Sequence, residues 1–461
     1  MKPVVMKFGG TSVEDADAIN RTAKIVQSRV ARGQRPVVVV SAMAKVTDQL
    51  LAGATAAGRG DRNGALAISS RLRNRHCDTS ALLLPADRNG ELQNWIQREF
   101  ESIDEILRGL SAVGELTPRT NDMVVSFGER LSSRMVAEAF RDRGIGAVHV
   151  DARTLIVTDA QHGKATPNSA VIEARCGQHL QPLVDAGQVP VMGGFIGSTV
   201  DGATTTLGRG GSDYTAALIG GGMDAEAIEI WTDVNGIMTA DPRVCPDALR
   251  VKTISFEEAA ELAYFGAKVL HPATILPAVQ KNIPVLVLNS RNPSNEGTRI
   301  LSRTPRSHSL FKAIAAKSRI TVIDIVAARM LMAHGFLAKV FDIFARHRCA
   351  VDVVSTSEVS ISLTVDSNEA IPQIAADLEK LAFVKYSGRK AIVCLVGENL
   401  RDTPGVAAQI FQAISDINVR MISQGASEIN LTFVIDEADV PEAVRRLHTK
   451  FFTDVDPEVF D

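Results

Sequence analysis

The chain has 461 residues, of which 45% are hydrophobic and 22% charged, and its formal net charge is −3. That length calls for two or three domains, and the near-neutral balance gives no bulk electrostatic case for nucleic acid or an anionic membrane as partner. The apolar run between Lys2 and Lys7 is too short for a signal peptide or a membrane span, and five scattered cysteines without a CxxC pair read as reduced thiols of a cytoplasmic protein.

Pro3 to Met6 opens as a short apolar strand ending in Lys7-Phe8-Gly9-Gly10-Thr11-Ser12. Ile19, Ala23, Val26 and Val30 then share one helix face, and Val37 to Val40 is the β-branched run of a strand buried on both sides. This βαβ opening predicts a parallel α/β sheet, with its first glycines at a strand's carboxyl end, where such sheets bind ligands. The stretch from 48 to 110 is mainly helical, and its cluster of Arg71, Arg73, Arg75 and His76 is expected on a solvated face. A further amphipathic helix covers 121 to 140 and carries Ser126-Phe127-Gly128-Glu129. More strands are expected at 148–150, 189–192, 227–231 and 284–288, with a helix at 255–262.

Between these elements lies Thr204 to Asp213, reading TTTLGRGGSD, followed by the apolar run Tyr214 to Ile219. Its glycines allow a close backbone approach, Ser212 is expected to cap a helix, and Arg209 offers a planar fork for carboxylate or phosphate. Two readings stay open on the loop alone: an anion site at a helix start, or a plain capping turn.

Residues 292–309, rich in Pro, Ser, Asn and Arg and without periodicity, mark a linker that closes a domain of residues 1–291. Beyond it, residues 335–366 align without gaps on 405–436 at a constant offset of 70, pairing Gly335 with Gly405, Ser357 with Ser427, Glu358 with Glu428 and Asp366 with Asp436. Each copy reads as strand, helix, strand, strand, helix, which gives repeats at 310–386 and 387–461. A duplicated α+β unit behind an α/β domain suggests a regulatory module that pairs between chains.

No GxxxxGK[ST], no GxGxxG after the first strand, no nucleophile elbow and no HExxH occurs. Instead, glycine-rich strand ends bear Lys7, Arg209 and Lys268, together with Asp213, Asp233 and Glu129. Cations beside glycine loops suit polyphosphate, and acids among them suit Mg²⁺ or ligand amines. Phosphoryl transfer needs mainly positioning and charge neutralisation, which this inventory supplies without a covalent nucleophile.

Eight segments in order, KFGGTS (7–12), SAMAKVT (41–47), SFGE (126–129), GFIGS (194–198), TTTLGRGGSDYTAAL (204–218), WTDVNGI (231–237), TADPR (239–243) and FGAKVLHP (265–272), resemble the aspartate kinases of the amino-acid kinase family. The tandem repeat resembles that family's paired ACT domains, and GFLAKVF (335–341) with VDVVSTSEVS (351–360) is most similar to its lysine-sensitive, homodimeric branch. The resemblance implies a three-layer α/β/α catalytic domain followed by two ferredoxin-like α+β ACT repeats. It also implies transfer of the ATP γ-phosphoryl group to the β-carboxylate of L-aspartate, the first step toward lysine, threonine and methionine.

Carried onto this chain, the resemblance implies catalytic roles for Lys7, Asp213 and Lys268 and aspartate binding by Thr47, Glu129 and Arg209, with Glu129 on the ammonium group. Lys7, Phe8, Gly9, Gly10, Thr232, Asp233, Met238, Arg243, Lys268 and Val269 would line the nucleotide site, the first glycines donating backbone N–H bonds to the phosphoryl group. Met330, Gly335, Phe336, Leu337, Val351, Asp352, Ser357 and Glu358 would bind lysine as effector. No protein metal site is implied, Mg²⁺ arriving on the phosphates of ATP, and assembly would be a homodimer or dimer of dimers through the repeats. Two positions depart from the pattern: Met238 replaces the usual tyrosine beside the nucleotide, and Ala333 lacks a hydroxyl expected in the lysine-sensitive branch.

Overall fold

The computed structural model describes residues 2–266, 272–304, 307, 309–327 and 334–461. It divides into two compact units: unit 1 comprises Met1–Gly236 and Val269–Thr304, and unit 2 comprises Ile237–Lys268 and Pro305–Asp461.

In chain order the first strands are β1 (Val4–Phe8), β2 (Pro36–Val40), β3 (Ala147–His149), β4 (Val189–Gly193), the hairpin β5 (Ile196–Ser198) and β6 (Thr204–Thr206), and β7 (Ala227–Thr232). The chain then gives β8 (Thr253–Ser255) to unit 2, before β9 (Val285–Asn289) and β10 (Thr298–Leu301) complete unit 1. Within unit 1 the main sheet runs β3-β4-β2-β1-β7-β9-β10, parallel except for its last pair. Val37 to Val40 are each fully buried and β2 pairs on both edges, so an unbroken β-branched run is what that position demands. The stretch expected to be an irregular linker contributes β10, because Thr298 and Ile300 are buried and pair with β9.

Helices α1 (Ala16–Ala31) and α5 (Pro118–Asp142), with α2 (Val46–Gly58), α3 (Arg62–Leu83) and α4 (Ala86–Val113) packed on them, cover one face of the sheet. On the other lie α6 (Ser169–Arg175), α7 (Gln181–Asp185) and α8 (Gly211–Gly222); α9 (Phe256–Tyr264) belongs to unit 2, and α10 (Leu276–Gln280) packs beside α8. The two-residue period of a strand sorts β1 between these layers: Val4, Met6 and Phe8 join the core under α1 and α5, while Val5 and Lys7 face α8.

The basic cluster on α3 is a solvated face only in part: Arg71 is exposed, whereas His76 and Arg75 turn inward. His76 follows Leu72 by one helical turn and lies with it in the core, fully buried beside Phe100. Burial lowers its pKa to about 4, which keeps the ring neutral. Arg75 turns inward to donate to the carbonyls of Ala44 (2.8 Å) and Glu14 (2.9 Å).

The repeats of unit 2 supply β11 (Phe311–Val326), α11 (Phe336–Arg346), β12 (Val351–Thr356), β13 (Ser360–Asp366), α12 (Ile371–Glu379), β14 (Phe383–Gly397), α13 (Val406–Ala413), β15 (Met421–Gln424), β16 (Asn430–Asp436) and α14 (Val440–Phe451). All six strands form one antiparallel sheet, β12-β13-β11-β14-β16-β15. The offset of 70 has a physical content at the glycine and aspartate pairs. Gly335 (φ 77°) and Gly405 (φ 81°) are the left-handed residues that start α11 and α13. Asp366 and Asp436 each hold a lysine of a long central strand, Lys317 and Lys390.

The repeats are nevertheless interleaved. The first half of β11 pairs with the second half of β14, and the second half of β11 pairs with β13 and with the first half of β14. Irregular register separates the halves, where Arg319 (φ 59°) and Arg389 (φ 55°) take left-handed backbone. The expected boundary at 386/387 thus falls inside a single strand shared by both repeats. The expected 1–291 domain also differs from unit 1, because Ile237–Lys268 is tied into unit 2, for example by Ile314 N donating to Thr239 O at 2.7 Å.

Candidate active site

A cavity of about 380 Å³ opens at the carboxyl ends of β1, β2 and β4 in unit 1, the edge where parallel sheets place their ligands. It gathers Lys7, Gly10, Thr47, Glu129, Arg209 and Asp213, which are spread over more than 200 positions of sequence. Lys7, sent toward α8 by strand alternation, meets Asp213 in the first turn of that helix at 2.7 Å, and both side chains are largely buried. Phe8 points the other way and stacks on Trp231 at 5.9 Å, so only its backbone faces the strand end. The Gly9 N–H is already donated to Trp231 O at 3.1 Å and is not available to a phosphoryl group; Gly10 lines the cavity.

The loop before α8 bears on both of its readings, and the Gly211 N–H is already donated to Gly208 O at 3.0 Å. Ser212 does not cap the helix: the N-cap is Gly210, in left-handed backbone at φ 72°, and no side chain caps this end. The helix start is therefore left open toward the cavity, as an anion site requires and a sealed capping turn does not. Arg209 is exposed on the cavity wall and makes no ion pair with a described residue.

The strand feeding this loop is held by a residue that patterning did not single out. Asp122 of α5 is fully buried and accepts hydrogen bonds from Thr206 Oγ1 (2.6 Å), Thr206 N (3.2 Å) and Gly163 N (3.0 Å), with His162 Nδ1 at 2.9 Å. An aspartate on the apolar face of an amphipathic helix was the available signal. Phe195, in left-handed backbone at φ 67°, also lines the cavity, and Lys45 (φ 66°) starts the helix that carries Thr47.

Glu129 is the most perturbed acid in the cavity. Its Oε1 accepts from Ala42 N at 3.2 Å, while Oε2 is buried without a hydrogen-bond partner. Burial pushes its carboxyl up to about 8, against the lowering effect of the Ala42 N–H and the Thr47 hydroxyl. A carboxylate in that state is completed by an incoming ammonium group.

Thr232 and Asp233 sit at the end of β7, beside β1, with Thr232 Oγ1 donating to Asp233 Oδ1 at 3.2 Å; neither lines the cavity. Met238 and Arg243 belong to unit 2, where Arg243 is exposed and paired with Asp241 at 2.6 Å. Lys268, Val269, Met330 and Ala333 lie outside the described residues. Of the remaining effector candidates, Gly335, Phe336 and Leu337 form the uncapped start of α11, Val351 and Asp352 lie on β12, and Ser357 and Glu358 lie in the turn to β13. Asp352 is not open: Lys317 Nζ (2.9 Å) and the Tyr264 hydroxyl (2.8 Å) both bind its carboxylate, which is 5% exposed. Among the described residues, no three His, Cys, Asp or Glu side chains converge as a metal site, and no helix is long and apolar enough to cross a membrane.

Residues 2–289 match the amino acid kinase family, and residues 393–451 match the ACT domain. The lysine-sensitive aspartokinase 3 of Escherichia coli (strain K12) is 39% identical over 467 residues, spanning 97% of this chain and 99% of that protein. The crystal structure of E. coli aspartokinase III in complex with aspartate and ADP (R-state) is similar at a TM-score of 0.85 and 39% identity, over 98% of this chain and all of the other. Its complex with lysine and aspartate (T-state) gives a TM-score of 0.84 over the same shares.

Proposed function

The chain belongs to the amino acid kinase family and, within it, to the aspartokinases, and from that premise we propose that it transfers the γ-phosphoryl group of ATP to the β-carboxylate of L-aspartate, yielding 4-phospho-L-aspartate and ADP, under feedback inhibition by lysine. The observation that carries the assignment to this cavity is the convergence of the Lys7–Asp213 pair with Glu129 and Arg209 around it.

The chemistry follows from those groups. A β-carboxylate oxygen of aspartate attacks the γ-phosphorus as the bond to the ADP oxygen breaks; the acceptor is already an anion, so no base is needed. Lys7 offsets charge on the transferring group, Asp213 holds its ammonium in place, and the open start of α8 supplies further N–H donors. Glu129 Oε2 takes the aspartate ammonium, beside Thr47, and the Arg209 fork takes a carboxylate bidentately. Lys268, Thr232, Asp233, Met238 and Arg243 are assigned to the nucleotide. Mg²⁺ carried on the phosphates of ATP would supply charge neutralisation there.

Aspartate binding and the Lys7–Asp213 pair are assigned to unit 1, and effector control to the repeats. Large apolar side chains exposed on the repeats, among them Val326, Leu337, Phe341, Phe383, Tyr386 and Ile422, support a homodimer or dimer of dimers through that surface. The five free cysteines fit a cytoplasmic location.

The test is ATP turnover against a panel of aspartate, glutamate, N-acetylglutamate and carbamate, with hydroxylamine trapping of the acyl phosphate, repeated with millimolar lysine. Turnover and hydroxamate formation with aspartate alone, reduced by lysine, is the expected result. Preference for another acceptor overturns the substrate, and absence of turnover with all four reduces the protein to a binding role.

A further inference from the structure

The segment that opens unit 2 is a hairpin. Thr239 N donates to Leu249 O at 2.8 Å, Val251 N donates to Ile237 O at 2.9 Å, and Met238 and Arg250 are antiparallel bridge partners. Residues 240–248 form its tip and carry Arg243. One edge of this hairpin is covered by residues 456–461. Val251 and Phe460 form an antiparallel bridge, Arg250 N donates to Asp461 O (2.6 Å), Asp461 N to Arg250 O (3.1 Å) and Lys252 N to Val459 O (2.7 Å).

Side chains repeat this tie. Arg250, 7% exposed, places Nε and Nη2 at 2.7 and 2.5 Å from the two carboxylate oxygens of Asp461, and Lys252 Nζ donates to Pro457 O at 2.8 Å. Val459 and Phe460 are buried, the Phe460 ring meeting Phe452 edge-on at 6.0 Å. On the same hairpin Thr239 Oγ1 lies 2.8 Å from His448 Nε2 of α14. The first strand of the hairpin is tied to β11 by Ile314 N donating to Thr239 O at 2.7 Å, and the strap covers its second strand, which would otherwise be an open edge. A forked guanidinium–carboxylate pair adds a fixed orientation, because both bonds are made only in one geometry.

We propose that residues 456–461 are a strap that positions the hairpin tip, and that Arg250 and Asp461 are positioning residues for the nucleotide. The proposal rests on the reading of Met238 and Arg243 as nucleotide contacts. Met238 is the bridge partner of Arg250, so a shift of the hairpin base on losing Asp461 reaches Met238 directly and Arg243 through the tip. Thr47, Glu129 and Arg209, which take aspartate, are carried by other elements and stay in place. The strap therefore acts on ATP affinity and leaves aspartate affinity alone.

Steady-state kinetics of the full chain test this with Asp461→Ala, Asp461→Asn, Asp461→Glu and Arg243→Ala, each checked by thermal melting. Loss of a charge-assisted pair is expected to raise KM for ATP about tenfold in Asp461→Ala while KM for aspartate stays within about twofold, and Asp461→Glu is expected to recover most of the loss. Should Asp461→Ala fail to fold, Asp461→Asn, which keeps the shape and removes the charge, is read in its place with the same expectation. Equal rises in both KM values, or no rise while Arg243→Ala does raise KM for ATP, overturn the strap and leave the nucleotide reading intact. Unchanged KM for ATP in Arg243→Ala removes the nucleotide reading itself, and the strap with it.

Discussion

The cavity of unit 1 and the Asp352 cluster of unit 2 are both built around a carboxylate at a strand or helix surface, yet they stand in opposite states. Glu129 has one oxygen bonded and the other bare, and burial holds its carboxyl up to about 8. Asp352 has its carboxylate saturated by Lys317 and Tyr264, and the pairing with Asp366 and Asp352 outweighs burial to raise the pKa of Lys317. The first arrangement is completed by a ligand cation; the second already contains one. A substrate site organised in the first way gains by binding, whereas an effector that uses Asp352 must compete with the chain's own lysine and tyrosine, so its binding is coupled to whatever those two residues hold. Tyr264 ends α9, and Lys317 lies on β11, so the coupling passes through elements of unit 2.

The largest effect that sharpens this contrast comes from the phosphate side of the open site. Lys7→Ala is expected to lower kcat about 10²- to 10³-fold, the range seen on removing a single transition-state donor. A loss below tenfold would show that the charge in the cavity is not used in the reaction.

An intermediate effect is expected from Glu129→Gln, which keeps the shape and removes the charge: KM for aspartate rises about tenfold or more, in line with the loss of a hydrogen bond to a charged group. The pH dependence has a definite sign. Glu129 is raised from 4.5 to about 8 on folding, so its contribution to stability is complete below 4.5 and is lost as pH rises through about 8. Melting temperatures of the parent and of Glu129→Gln should therefore diverge in favour of the variant as pH climbs toward 8. Over the same window KM for aspartate should fall in the parent, as the carboxylate forms, and stay flat in the variant. A parallel pH profile for the two proteins breaks the account of Glu129.

The smallest effect belongs to the closed site. Tyr264→Phe removes one of the two internal donors on Asp352, and lysine inhibition is expected to tighten about threefold, part of the worth of a hydrogen bond to a charged group because Lys317 still holds the carboxylate. Titration of activity with lysine reads this directly; weaker or unchanged inhibition would mean that Asp352 is not contested.

Much of this molecule could be read along the chain. The unbroken run Val37–Val40 announced a strand with neighbours on both edges, and the offset of 70 between Gly335 and Gly405 announced two equivalent left-handed helix starts. Lys7, Glu129, Arg209 and Asp213 were identified from motif order, and the structure brings them to one cavity. What could not be read were pairings across long distance. Nothing local to α5 says that Asp122 anchors Thr206 and Gly163, and nothing local to α3 says that Arg75 reaches Ala44 and Glu14. The helix on which Ser212 sits was legible, but its cap was misassigned to Ser212 because the left-handed backbone of Gly210 depends on the loop's closure.

Periodicity and spacing are properties of a line, so the sequence by itself determined element types, the duplicated regulatory module and the inventory of charged groups. Hydrogen-bond partners and burial are properties of a volume. Only the tertiary structure decided that the repeats share β11 and β14, that Ile237–Lys268 packs with them, that Glu129 is left one bond short, and that Asp352 is already satisfied.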